Sequence, residues 1–135
     1  MPIMTWDESL STKVKECDEQ HIRLIGMINA LHDSMKAGKG RDALGKVLAD
    51  LLEYTVYHFG TEEQLFKEHG YPEAAVHVLA HETLTKQVKE LKQKYESGNL
   101  SITVETMNFL RDWLKSHIMG MDKRYGSFLN GKGVH

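Results

Sequence analysis

The sequence predicts an all-α fold, an up-down-up-down antiparallel four-helix bundle preceded by an extended N-terminal arm. Three observations predict it. The chain has only two prolines in 135 residues and is rich in Leu, Lys, Glu, Met and Ala, a mixture that favours helix. Apolar residues recur in steps of three and four along four stretches, the period of a helix with one buried face. Glycines punctuate those stretches and leave only short connections, so successive helices must run antiparallel. At 135 residues the chain forms one domain, 1–135, with room for a core.

Residues 1–17 show no helical period and read as an arm packed over the bundle, with Trp6 as its anchor. Asp18 reads as the N-cap of a first helix over about 18–37, whose seam is His21, Leu24, Ile25, Ile28, Leu31 and Met35, closed by Gly38 and Gly40. A second helix, about 41–68, has the seam Leu44, Leu48, Leu51, Thr55, His58, Glu62 and Leu65. His69-Gly70 ends it and Pro72 suits the start of the next. The third helix, about 73–96, carries His77, His81, Leu84, Val88, Leu91 and Tyr95, and Gly98-Asn99 breaks it. Ser101 or Thr103 caps a fourth, about 102–127, with the seam Val104, Met107, Leu110, Leu114, His117 and Met121. The tail from Asn130 to Gly133 reads as frayed.

The stretch from Tyr57 to Glu82 concentrates the chemistry. His58 and Glu62 stand four apart before the Gly70-Tyr71-Pro72 break, and His77 and His81 stand four apart after it. Residues four apart share a helix face, so one helical hairpin presents four potential metal ligands. His21 lies near the start of the first helix and His117 in the later half of the fourth. In an antiparallel bundle all these positions fall at one end. Five imidazoles and a carboxylate in an apolar core are costly unless something satisfies them, and a metal would.

The remaining histidines read as ordinary. His32 shares a face with His21 but lies roughly 16 Å along the axis. His69 sits at a helix end, where an imidazolium favours the macrodipole, and His135 is in the tail. Cys17 reads as a buried thiol rather than a soft ligand. Asp122 follows His117 by five residues, which on an ideal helix turns it roughly 140° off that face. By spacing alone it is a surface residue. It reaches the site only if the helix is locally widened, for which Gly120 is a permissive place.

With these residues in view the chain resembles the hemerythrins, most of all their bacterial single-domain branch. The resemblance rests on Trp6-Asp7, Asp18-Glu19-Gln20-His21, His58-Phe59-x-x-Glu62-Glu63, Tyr71-Pro72 followed by His77-x-x-x-His81, and Trp113-Leu114-x-x-His117-Ile118-x-Gly120-x-Asp122-x-x-Tyr125. It implies a non-haem site of two iron ions bridged by an oxo or hydroxo group. His77, His81 and His117 would hold one iron, His21 and His58 the other, and Glu62 and Asp122 would bridge them. It thereby implies that Asp122 is a ligand and that the helix is distorted near Gly120.

The ligand count then bears on function. Two octahedral irons offer about twelve places. Five histidines, two bridging carboxylates and one bridging oxygen leave one place open, on the iron with two histidines. An open place admits a ligand, and the resemblance implies reversible binding of O2, held there as peroxide. Leu24, Phe59, Trp113 and Leu114 each lie within four residues of a ligand and would line an apolar pocket that excludes water. The expected protein is an oxygen carrier, store or scavenger and not an enzyme. The alternative is a di-iron enzyme or sensor acting on peroxide, O2 or nitric oxide with a partner supplying electrons. Ferritin-like carboxylate sites use Glu-x-x-His, and no histidine here has that glutamate.

Other features bound the setting. A formal net charge of −2 gives no reason to expect nucleic acid or an anionic membrane as partner. No stretch reads as a signal peptide or membrane span. A lone cysteine suits a reducing compartment, so a cytoplasmic monomer is expected, with an O2-consuming or electron-donating protein as its conceivable partner.

Overall fold

The structure is a computed structural model and describes residues 2–38, 41–98 and 103–135. Four helical rods make it up. α1 is Lys15–Lys36, α2 Arg41–His69 and α3 Ala74–Glu96. The fourth rod is continuous but not uniform: α4, Val104–His117, passes through a π-helical turn, Ile118–Asp122, into α5, Lys123–Gly131. α1 packs on α2 and α4, and α2 on α3. All the described residues are helix, turn or extended arm, with no strand among them.

The first helix begins three residues before Asp18, so Asp18 is not its cap. Val14 takes the N-cap position without a side-chain bond. Asp18 lies one turn inside and clamps the arm instead. Its carboxylate accepts from the Thr12 amide at 2.8 Å, the Thr12 hydroxyl at 2.9 Å and the Ser11 hydroxyl at 2.6 Å. A first-turn carboxylate is also favoured by the helix dipole. The arm is anchored by more than Trp6, which is only partly buried. Met4 and Leu10 are buried in the main core, and the Asn29 side chain bonds Ile3 and Met4 through three backbone contacts.

Elsewhere the helix ends follow their punctuation. Gly70 has φ +67°, a left-handed conformation that glycine adopts without strain, and it turns α2 into α3. Thr103 caps α4 by accepting from the Thr106 amide. The Gly40, Asn99 and Ser101 expectations lie outside the described residues. Several seam positions differ from the prediction. Phe66, not Leu65, is the buried residue near the end of α2, at 1% exposure. Val104, the first residue of α4, is exposed, and Met35, Leu44, Leu84, Leu91 and Met121 are half-buried. The tail is tied down rather than frayed: Asn130 Nδ2 donates to the Lys13 and Val134 carbonyls, and the Val134 amide donates to Leu129.

Two apolar clusters stack along the bundle. The larger includes Leu24, Ile28, Leu48, Phe59, Leu110 and Leu114. The smaller includes Cys17, Phe66, Tyr71, Tyr125 and Leu129. On every rod the candidate ligands fall in register between the two, so apolar side chains close the site above and below.

The arm crosses α5 at Gly126. A Cβ there would meet the Thr12 carbonyl oxygen at 2.3 Å and its Cα at 3.0 Å. These are backbone atoms, so the arm itself must move to admit it. Gly126→Ala is therefore expected to destabilise by about 1–3 kcal/mol, the usual cost of overpacking, despite alanine's better helix propensity. Urea unfolding checks this against Ser127→Ala, an exposed neighbour; equal midpoints for the two variants would refute the close approach.

Candidate metal centre

Each rod delivers its candidate ligands to one level. α1 supplies His21, α2 His58 and Glu62, α3 His77 and His81, and the fourth rod His117 and Asp122; all seven are buried. The i,i+4 pairs need no special backbone. Asp122 does. The i→i+5 bonding of a π turn places residues five apart on one face, and Asp122 Oδ1 stands 3.0 Å from His117 Nε2. Gly120 has open space where its Cβ would be, so it eases the distortion without being sterically required.

The two carboxylates each divide their oxygens between two sets of histidines. Glu62 Oε2 lies 3.3 Å from His21 Nε2 and 3.2 Å from His58 Nε2, while its Oε1 lies 3.1 Å from His81 Nε2. Asp122 Oδ2 lies 3.0 Å from His21 Nε2, while its Oδ1 lies 3.0 Å from both His77 and His117 Nε2. The donors thus fall into two overlapping groups: His77, His81 and His117 with both carboxylates, and His21 and His58 with the same two. In each group the ligand atoms lie within 4.8 Å of one another. Among the described residues neither group includes Cys17, His32, His69 or His135.

The buried atoms fit a metal better than they fit each other. His21, His58, His81 and His117 Nε2, Glu62 Oε1 and Asp122 Oδ2 have no aligned hydrogen-bond partner. The separations are short enough for hydrogen bonds but the directions are wrong. Unmade bonds at buried polar atoms cost about 1–3 kcal/mol each, and a cation between the two groups would satisfy them together. Nitrogen and carboxylate oxygen are suitable donors for iron.

Side chains behind two of the candidate ligands fix their tautomers. His58 Nδ1 donates to Gln20 Oε1 at 2.7 Å, and Gln20 Nε2 donates to Thr61 at 3.3 Å, which orients the amide. His81 Nδ1 donates to Glu63 Oε2 at 2.8 Å. An amide or carboxylate oxygen can only accept, so each neutral ring presents its Nε2 lone pair inward. The Tyr125 hydroxyl donates to Glu62 Oε2. Gln20, Glu63 and Tyr125 stand in the motifs quoted above, but their spacing carries no sign of these cross-helix bonds.

Proton affinities show how highly charged the cavity is. Burial alone would push His21 down, yet the Asp122 and Glu62 carboxylates raise it to about 10. Burial likewise opposes, and Glu62 with Glu63 outweighs it, in raising His81. Burial favours the protonated form of Glu62, but His58, His21 and His81 hold it well below the ordinary range. Asp122 is also held low, against both burial and the Glu62 charge, by His117, His21 and His77.

The four residues expected to line a pocket are all buried. Phe59 stacks on His81, ring centroids 3.9 Å apart and nearly parallel. Leu24 and Leu114 join the main core. Trp113 and His117 lie along a groove of about 620 Å³ between α3 and α4, with Leu84, Phe109 and Met121.

Comparison with known proteins agrees with this geometry. The family model described as hemerythrin HHE cation binding domain matches residues 12–129. A bacteriohemerythrin of Methylococcus capsulatus is 37% identical over 131 residues, covering 96% of this chain and 99% of that one. One from Stenotrophomonas maltophilia is 36% identical over 93% of this chain and 80% of its own. A crystal structure of wild-type hemerythrin superposes with a TM-score of 0.85 at 37% identity, covering 93% of this chain and 96% of that one. None of these relatives bears an enzyme's name. No helix among the described residues is long and apolar enough to cross a membrane.

Proposed function

The chain belongs to the hemerythrin family, and on that premise we propose that its seven buried donors hold two iron ions and that this centre binds O2 reversibly. His77, His81 and His117 serve one position and His21 and His58 the other, with Glu62 and Asp122 shared. The observation that carries the count is the division of oxygens: both carboxylates face one histidine set with one oxygen and the second set with the other. One ion cannot use that arrangement, and zinc's preference for closed four-donor sites leaves donors over.

When bound, two ferrous ions supply the two electrons that O2 binding draws on. The chain's own contribution is placement and exclusion. The two-histidine set has one nitrogen fewer, so a ligand from outside has its place there. Gln20 and Glu63 hold the rings in the ligating tautomer. Leu24, Phe59 and Leu114 keep bulk water from the centre, which favours release of O2 over its further reduction. Among the described residues, the buried Tyr125 hydroxyl, bonded to Glu62, and the buried Cys17 thiol stand beside the site; burial pushes both above their usual ranges, with Glu62 adding to the effect. Neither group gives up its proton readily, which supports a carrier or store over an oxidase. The lone buried thiol, Cys17, suits a reducing cytoplasm.

Anaerobic loading with Fe(II), followed by O2 and then an inert purge, tests the reading. A visible absorption band should appear on oxygenation and vanish on purging over repeated cycles. Rapid bleaching that purging does not reverse would sink it.

A further inference from the structure

We propose that the hydrogen bonds behind the ligands make the two metal positions unequal in strength: Glu63 tightens the three-histidine position more than Gln20 tightens the two-histidine position, and Tyr125 loosens the latter, so that the two-histidine position fills last and empties first. This rests on the two-metal reading above and deepens it.

The three contacts push in one direction. His81 Nδ1 donates to a carboxylate, Glu63, at 2.8 Å. A charged acceptor strengthens that bond and raises the basicity of the opposite nitrogen, which faces the three-histidine position. His58 stands in the matching place on the other side, but its Nδ1 donates to the neutral amide of Gln20 at 2.7 Å, and the gain in basicity is smaller. Tyr125 adds to the imbalance. Its hydroxyl donates to Glu62 Oε2, not Oε1. Oε2 is the oxygen beside His21 and His58, so Tyr125 draws charge from the two-histidine side of the shared carboxylate. Oε1, beside His81, keeps its charge.

Three residues on three different helices therefore act through the ligands as positioning residues. The ligand count alone already favours the three-histidine position, and these contacts widen the difference. A weakly held ion in the position open to an outside ligand would make that position the route for metal entry and loss.

Cobalt(II) titration of the metal-free full chain under a competing chelator tests this, read from the cobalt visible bands. The wild type should take up two equivalents in two resolved steps. Glu63→Gln should weaken the first step by about 10–100-fold, the usual effect of losing such a partner, and leave the second in place. Gln20→Glu and Tyr125→Phe should each strengthen the second step by about tenfold. A merely structural role would weaken both steps together and would not move the two in opposite directions. Glu63 is partly exposed and Gln20→Glu is isosteric, so these variants keep the test open if Tyr125→Phe does not fold. Equal shifts of both steps in Glu63→Gln, or an unmoved second step in Gln20→Glu, would overturn the inference. Uptake of a single equivalent by the wild type would instead overturn the two-metal reading itself.

Discussion

Glu62→Ala is expected to cut bound metal from two equivalents per chain to one, with the survivor held at least about 100-fold more weakly, since ligand loss should exceed the loss of a partner behind a ligand. Both Glu62 oxygens are engaged, Oε2 toward His21 and His58 and Oε1 toward His81. Without them the two-histidine group keeps two nitrogens and one oxygen of Asp122. Three donors of that kind are a poor site. The other group keeps His77, His81, His117 and Asp122 Oδ1, a four-donor set that one ion can still occupy. The oxygenation band, which needs both positions, should disappear. Metal analysis after dialysis, with the exposed α2 residue Glu68 replaced by Ala as control, measures the stoichiometry. Two equivalents retained in Glu62→Ala would remove it from the shared role.

The histidines of this site could be found in the sequence because helical periodicity is local. Each of His58, Glu62, His77 and His81 occupies a place where its own helix calls for an apolar residue, and four short-looped helices bring those places to one end. Asp122 could not be found that way. Its position depends on a π turn, a shift of backbone hydrogen bonds that five residues of spacing do not announce, and only the family resemblance pointed to it. Asp18 misled for a similar reason. It has the composition of a cap, but its partners Ser11 and Thr12 are set by how the arm folds back, which moves the helix start to Lys15. Gln20, Glu63 and Tyr125 lie next to or one turn from ligands, yet the atoms they bond are on other helices. Periodicity along one helix carries no information about polar pairs between two. The tail's attachment through Asn130 is non-local in the same way.

Removing the metal should lower the thermal midpoint by more than about 10 °C, and the loss should grow as pH rises. Ligands that bind only the folded chain stabilise it by about 4 kcal/mol at a thousandfold excess over Kd, and a domain of this size loses several degrees per kcal/mol. The pH dependence follows from His21. In the metal-free chain its folded pKa is raised to about 10, above the unfolded value of about 6.5. The associated stability is fully present below about 6.5 and is lost as pH rises toward 10. The metal-loaded chain cannot hold that proton, because a ligating imidazole must be neutral. Below about 6.5 the loaded chain is therefore the one that weakens, as protons compete with metal for His21. The gap between loaded and chelated midpoints should accordingly be narrow near pH 6 and wide near pH 9. Calorimetric scans of both forms at the two pH values measure it. A gap that stays constant would mean that metal binding displaces no proton from the site, and would overturn the raised proton affinity of His21 in the metal-free chain.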